Sequence, residues 1–214
     1  MPLYSSDALI LRTYQLGEAD RIVVFLTSDR GKRRGVAKNA RRSRRRFGGA
    51  LEPLTGGRVE YQEREGRDLV LLHFVEPVRS PLSSRDAEGP GYASYFAELI
   101  DACAPDADPN TRLYRLGRTA VDAIASGVPL DALARYVEFW VLRLQGIYPA
   151  QLPVSPVALD FLRVAGQAPP EAVAGVGWPD GVLRELEEAH RVLIMTHLER
   201  EPKSIRVLRE MRRA

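Results

Sequence analysis

Residues 8–27 read ALILRTYQLGEADRIVVFLT, and this stretch decides the fold. Residues 8–14 and 21–27 are rich in apolar and β-branched side chains, and the turn signal Leu16-Gly17-Glu18 separates them, which is typical of two strands joined by a tight turn. Further strand-like runs follow at residues 35–38, 58–62 and 69–75. Five strands joined by short turns predict a small closed or nearly closed barrel over residues 1–80.

The apolar pattern changes near Pro81, where a segment rich in proline, serine and glycine ends the strand region. Beyond it, apolar residues recur at helical spacing, as in Tyr92, Phe96, Leu99 and Cys103. The same spacing recurs near residues 113–124, 133–144 and 183–197, whereas residues 169–179 are predicted to form a loop. The predicted fold class is α+β, with an all-helical domain over residues 81–214 following the barrel.

A strongly basic segment lies at residues 30–46, which read RGKRRGVAKNARRSRRR and contain ten basic side chains and no acidic one. Arginine is charged at any working pH, and its planar fork fits phosphate oxygens. Residues 1–80 carry a net charge of +6, although the whole chain carries only +3. The segment predicts binding to a polyanion, most commonly nucleic acid, although a solvated loop is the alternative. Tyr14 and Phe47 are candidates for stacking on a base, although Phe47, which follows the segment, could instead anchor the loop.

Catalytic and metal-binding patterns are missing from the sequence. His190 and His197 are seven residues apart, unlike the i, i+4 pair that holds zinc, so both are predicted to be satisfied side chains on an apolar helix face. With Cys103 as the one cysteine, a cysteine-based zinc module is excluded. No window approaches the roughly 18 apolar residues of a membrane helix. We therefore predict a protein without enzymatic activity, cofactor, metal or membrane association, located in the cytoplasm.

An aromatic group in the helical part allows two interpretations. Tyr136, Phe139 and Trp140 lie beside Arg135 and Arg143 in the sequence. They could form a pocket for a peptide with an apolar anchor and an acidic group, or simply belong to the core.

Six sequence motifs together resemble the RecO family of bacterial recombination mediators. In chain order they are DALILRTY (7–14), GEADR (17–21), GVAKNAR (35–41), LEPL (51–54), LARYVEFWVLRLQG (133–146) and PKS (202–204). The resemblance implies an N-terminal OB-fold domain and a helical C-terminal domain. The sequence departs from the family in two respects. The four-cysteine zinc module of many members is missing, and Asn39 stands where the family often has glycine.

The resemblance also implies a function and its partners. The family binds single- and double-stranded DNA, anneals complementary strands and, with RecR, helps RecA displace single-strand-binding protein, whose acidic tail it recognises. We therefore expect an association with the nucleoid. The expected DNA contacts are Lys32, Arg33, Arg34, Lys38, Arg41, Arg42, Arg44, Arg45, Arg46 and Phe47, and the expected tail contact is Arg135. The residues alone leave open an OB-type RNA-binding adaptor and an adaptor that binds acidic peptide tails.

Overall fold

The first 80 residues form the predicted five-stranded barrel. The computed structural model describes residues 2–63, 66 and 68–211, without the side chains of Arg44, Arg45, Arg209 and Met211. The sheet closes in the order β1-β2-β3-β5-β4, and β3 and β5 are its parallel pair. This arrangement is OB-like, as expected. The strands are β1 (Leu3–Leu16), β2 (Asp20–Thr27), β3 (Gly31–Ala37), β4 (Gly56–Gln62) and β5 (Val70–Arg79).

The third strand begins four residues earlier than the pattern predicts, at Gly31 rather than residue 35. Gly31 has φ +72°, and a Cβ atom there would lie 2.3 Å from the backbone oxygen of Asp108. Only glycine allows this conformation and this close approach. The first part of the basic segment therefore lies in a strand rather than in a loop.

The barrel is filled by alternate residues of its strands, with Phe25 and Tyr61 as its largest buried side chains. A long connection from β3 to β4 contains the short helix α1 (Arg44–Phe47). Phe47 is 3% exposed and joins the barrel core together with Ala50 and Leu51. This connection is thus fixed to the barrel by an apolar anchor.

The remaining described chain is helical, beginning with a 3-10 turn at Pro81–Ser83. The predicted helical stripes are confirmed, but the prediction of a loop over residues 169–179 is wrong in part. Pro170 occupies the first turn of a short helix, where its missing N–H is tolerated. The helices are α2 (Gly89–Cys103), α3 (Thr111–Ala125), α4 (Leu130–Leu144), α5 (Pro156–Ala165), α6 (Pro170–Ala174), α7 (Asp180–Leu198) and α8 (Lys203–Met211).

The outer face of the barrel and the helices share a second hydrophobic core, separate from the one inside the barrel. Leu9, Leu11, Val24 and Leu26 on the outer face of β1 and β2 pack with residues of α2 and α3. Gly117 of α3 permits this contact, because a Cβ atom there would lie 2.5 Å from Leu9 Cδ1. The helices therefore cover one part of the outer barrel face and leave the other part open.

Candidate functional site

The basic segment is divided by the structure into a strand part and a connection part. The strand part is Lys32, Arg33 and Arg34 on β3. The connection part is Lys38, Arg41, Arg42 and Arg46, which we call the loop group. The side chains of Arg44 and Arg45 lie outside the described residues.

Lys32 connects the barrel to the helices. Its side chain is 9% exposed, and Nζ lies 3.3 Å from Asp101 Oδ1 and 3.5 Å from Asp106 Oδ1. The ammonium group also donates a hydrogen bond to the Asp101 carbonyl at 2.8 Å. Because its charge is neutralised and covered, Lys32 does not lie on an open surface where a phosphate could reach it, contrary to the expectation from the sequence.

Arg33 and Arg34 point to opposite sides of β3. Arg33 shares the inner side with Gly35 and Ala37, and its Nη2 lies 3.5 Å from Glu63 Oε1. Arg34 points outward with 55% of its side chain exposed, 3.5 Å from the equally open Asp106. An exposed ion pair of this kind contributes little because water screens it. Arg34 therefore remains accessible to a ligand, whereas Arg33 is largely engaged.

The loop group is held in place through backbone atoms. Arg41 donates from Nη1 to the Glu18 carbonyl at 3.2 Å, and its backbone N–H donates to the Ala19 carbonyl at 3.1 Å. Arg46 donates to the Lys38 carbonyl at 2.8 Å and lies over the Phe47 ring. These contacts fix the connection against the β1–β2 turn.

The loop group also keeps its charge uncompensated. Lys38, Arg41 and Arg42 are exposed and Arg46 is half-buried. Within the described residues, none of these four side chains has a carboxylate within 4.0 Å. Four cations on one connection, with no described carboxylate within 4.0 Å of any of them, create a positive potential that attracts phosphate groups. The loop group is therefore the candidate site.

The prediction that Phe47 stacks on a base is wrong, because its ring is buried in the barrel core. The alternative interpretation, an anchor for the loop, describes its position. The basic connection thus owes its placement to one apolar side chain.

Arg135 is buried in the helical core, so the expectation that it receives a peptide tail is wrong as well. Its side chain is 4% exposed, and it pairs with Glu138 at 2.8 Å and with Glu187 at 3.2 Å. The Tyr95 hydroxyl donates to Glu138 at 2.8 Å, and burial raises the pKa of Tyr95 well above its ordinary value. Arg135 is therefore part of an internal polar network that joins α4 to α7.

The three aromatic neighbours of Arg135 belong to the core. Tyr136 and Phe139 are buried, and the half-buried Trp140 donates from Nε1 to the Ala165 carbonyl at 3.0 Å. The exposed Arg143 lies over the rings of Phe139 and Trp140, 5.6 Å from each centroid. An open aromatic pocket is not formed by these residues.

The comparisons with known proteins identify the family. Family models of the recombination protein O N terminal and C terminal regions match residues 1–81 and 84–151, more than two thirds of the chain. The chain belongs to the RecO family. It is 41% identical over 148 residues to the DNA repair protein RecO of Koribacter versatilis (strain Ellin345), covering 69% of this chain and 60% of the relative. It is 42% identical over 142 residues to that of Anaeromyxobacter sp. (strain K), covering 66% and 56%. The chain thus matches little more than half the length of these RecO proteins.

The zinc module that many members of the RecO family carry does not fit the residues of this chain. The described residues contain no group of three or more histidine, cysteine, aspartate or glutamate side chains placed to hold a metal ion. Cys103 lies on α2, and burial raises the pKa of its thiol to about 11, which disfavours the thiolate that binds metals. His190 contacts Glu138 and Tyr148, as predicted for a satisfied side chain, but it is fully buried rather than partly buried. His197 is exposed, contrary to the prediction.

Asn39 occupies a position that explains the family's preference for glycine there. Its φ of +55° lies in the left-handed region, which glycine adopts freely and asparagine tolerates better than most residues. The Asn39 N–H donates to Asp20 Oδ1 at 2.8 Å. This RecO chain therefore keeps the turn that starts the basic connection.

In the described residues, no helix is long and apolar enough to cross a membrane.

Proposed function

We propose that this chain binds single- and double-stranded DNA through the loop group and acts as a recombination mediator in DNA repair. In this role it anneals complementary strands and, with RecR, assists RecA in replacing single-strand-binding protein. The observation that carries the proposal is the cluster of exposed basic side chains without carboxylate partners on a connection fixed by Phe47. Membership of the RecO family supports it, because the relatives are named DNA repair proteins.

The loop group supports annealing by an electrostatic mechanism. Two complementary strands repel each other through their phosphates, and a fixed cluster of guanidinium groups between them reduces that repulsion. Binding releases counterions from each strand, and this release supplies much of the affinity. The mechanism needs no bond-making chemistry, which agrees with the expectation that the protein is not an enzyme.

An annealing assay tests the proposal directly. Complementary oligonucleotides, one carrying a fluorophore and the other a quencher, are mixed with the protein, with and without a coat of single-strand-binding protein. We expect faster annealing in both cases, and a rate equal to that of the oligonucleotides alone would contradict the proposal. Addition of RecR and RecA then measures whether RecA filaments form on coated strands.

Two charge substitutions show whether the loop group makes the contact. Because each phosphate contact on a single strand contributes about −0.7 to the log–log salt slope, Arg41→Ala with Arg42→Ala should make the slope shallower by about 1.4. The matched control is Arg163→Ala with Arg191→Ala, since both are exposed arginines on the helices. A slope that responds equally to both pairs would remove the loop group from the contact surface. Competition with an RNA of the same sequence distinguishes a DNA-binding protein from an RNA-binding adaptor.

A further inference from the structure

An aspartate lies at the edge of the loop group, where its charge alone would disfavour a polyanion. Asp20, the first residue of β2, lines a depression of about 530 Å³ together with Lys38. A carboxylate beside a basic site lowers the positive potential of that site. The Asp20 side chain also makes a specific contact, because its Oδ1 accepts a hydrogen bond from the Asn39 N–H at 2.8 Å. This contact suggests a role for Asp20 that differs from its charge.

The backbone of Asn39 sets the direction in which the basic connection leaves β3. Its φ of +55° lies in the left-handed region, which costs free energy for a residue with a side chain. Its carbonyl accepts hydrogen bonds from the N–H groups of Arg42 at 3.0 Å and Ser43 at 2.9 Å, and these form the turn before α1. The hydrogen bond to Asp20 engages the N–H of the same residue. Asp20 therefore holds the residue on which this turn depends.

The β1–β2 turn supplies two more acceptors to the same connection. The Ala19 carbonyl accepts from the Arg41 N–H at 3.1 Å, and the Glu18 carbonyl accepts from Arg41 Nη1 at 3.2 Å. Three consecutive residues, 18–20, thus hold Asn39 and Arg41, but only Asp20 does so through its side chain. The Asp20 contact is therefore the one that a substitution can remove while the backbone acceptors stay in place.

Arg46 holds the connection from within. Its Nη2 donates to the Lys38 carbonyl at 2.8 Å, and its Nε donates to Ser43 Oγ at 3.1 Å. The guanidinium carbon lies 5.2 Å from the centroid of the Phe47 ring. These contacts join the residue before Asn39 to the start of α1 and to the apolar anchor. A lysine carries the same charge but lacks the planar fork that reaches two acceptors, so the role of Arg46 depends on the shape of its guanidinium group.

We propose that Asp20 and Arg46 are positioning residues that hold the basic connection in the shape that binds DNA. This inference rests on the proposed function and concerns how the site is prepared before binding. Residues 38–55 join β3 to β4, and a free connection of this length would have to become ordered when a strand binds, which weakens binding. Contacts that form during folding remove this cost. An acidic residue thus raises the affinity of a basic site, because the hydrogen bond that it accepts outweighs the repulsion from its charge.

Two substitutions of Asp20 that leave the same net charge test the inference, with fluorescence anisotropy of a labelled oligothymidine as the readout. Asp20→Asn removes the charge but keeps an oxygen that can accept from the Asn39 N–H, so it should bind at least as tightly as the wild type. Asp20→Ala removes both. Because a hydrogen bond to a charged group contributes about tenfold or more to an equilibrium constant, Asp20→Ala should bind about 3- to 10-fold more weakly. Charge alone predicts tighter binding for both variants.

The matched control is Glu18, which holds Arg41 through its backbone carbonyl. Glu18→Ala and Glu18→Gln should bind alike, because neither removes that carbonyl. Hydrogen exchange supplies a readout that is independent of binding: the amides of Asn39 and Arg41 should exchange faster in Asp20→Ala than in Asp20→Asn. Urea denaturation defines the conditions in which every variant is folded, and affinities are compared there.

A second variant tests Arg46 and carries the test if Asp20→Ala does not fold. Arg46→Lys keeps the charge and should weaken oligothymidine binding by a similar factor, whereas Arg191→Lys, an exposed change on α7, should bind as the wild type does. Equal affinities of Asp20→Ala and Asp20→Asn would overturn the role of Asp20, and wild-type affinity of Arg46→Lys would overturn that of Arg46. If the wild type itself binds no oligothymidine in dilute buffer, the proposed function fails, and the positioning roles fail with it.

Discussion

Glu98 of α2 holds the C-terminal helix in place, and its substitution gives the sharpest test of how the helical part is assembled. Its side chain is 8% exposed. One oxygen accepts hydrogen bonds from Arg200 Nη1 at 2.9 Å and from the Lys203 N–H at 3.1 Å. The other oxygen accepts from the Ser204 N–H at 2.9 Å and from Ser204 Oγ at 2.6 Å. Glu98 therefore caps the free N–H groups at the start of α8 from a distant position in the sequence.

The pKa of Glu98 gives the size of the effect. Burial alone would raise this pKa, but the hydrogen bonds from Ser204, Arg200 and Lys203 outweigh burial and lower it from 4.5 to about 2. At 1.36 kcal/mol per pKa unit, this favours the ionised form by about 3 kcal/mol. Since the pKa is lower in the folded state, this stabilisation is fully present above pH 4.5 and disappears as the pH falls through 2.

Glu98→Gln should therefore lower the free energy of unfolding at pH 7 by about 2–3 kcal/mol, because a neutral amide replaces a charged acceptor and faces donors with its own NH₂ group. Urea denaturation measures the loss, and hydrogen exchange at the amides of Lys203 and Ser204 locates it. The difference from the wild type should shrink between pH 4.5 and pH 2. Glu188→Gln, an exposed change on α7, is the control. Unchanged stability and unchanged amide protection in Glu98→Gln would refute the capping role.

Three further substitutions separate folding from binding. Lys32→Ala breaks a buried ion pair and should lower the free energy of unfolding, measured in urea, by up to about 3–5 kcal/mol. The salt slope of oligonucleotide binding should be unchanged, and a shallower slope would mean that Lys32 contacts the oligonucleotide. Phe47→Ala should lower the free energy of unfolding by about 3–5 kcal/mol, because it leaves a cavity in the barrel core. It should also slow annealing, because the loop group loses its anchor to the barrel. Gly31→Ala should destabilise more than Gly17→Ala, since both have positive φ but only Gly31 would press a Cβ atom against a backbone oxygen; similar melting temperatures for the two variants would contradict this.

The elements that could be predicted from the sequence are those whose signal is local. Alternation and β-branched residues mark the strands near Leu9 and Phe25, and helical spacing marks the faces of α2 to α4 and α7, because each element buries one face of its own sequence. The barrel follows from the number of strands and the shortness of their turns. The basic segment and the absence of a zinc module are also visible directly in the residues.

The failed predictions for Lys32 and Arg135 depend on contacts between distant parts of the chain. In the sequence, nothing distinguishes Lys32 from its basic neighbours. In the fold, Asp101, 69 residues later in the chain, lies beside the Lys32 ammonium group. Arg135 was predicted to be accessible, but in the fold Glu187 of α7 pairs with it. Two features could have revealed that Arg135 is buried. Arg135 and Glu138 form an i, i+3 pair on the buried face of α4, and His190 lies on the apolar face of α7. Charges on apolar faces indicate an internal network more often than a binding site.

The distribution of acidic residues explains why only part of the basic segment lacks carboxylate partners. Asp101 and Asp106 meet the strand cations at the junction of barrel and helices, and Glu63 meets Arg33 at the barrel end, so charge there contributes to assembly. No described carboxylate lies within 4.0 Å of a loop-group cation, and Phe47 attaches this connection to the barrel through an apolar contact. Attachment by burial, rather than by ion pairs, holds a basic connection in place without neutralising it. A polyanion that binds this surface, as we propose, does not first have to displace a carboxylate.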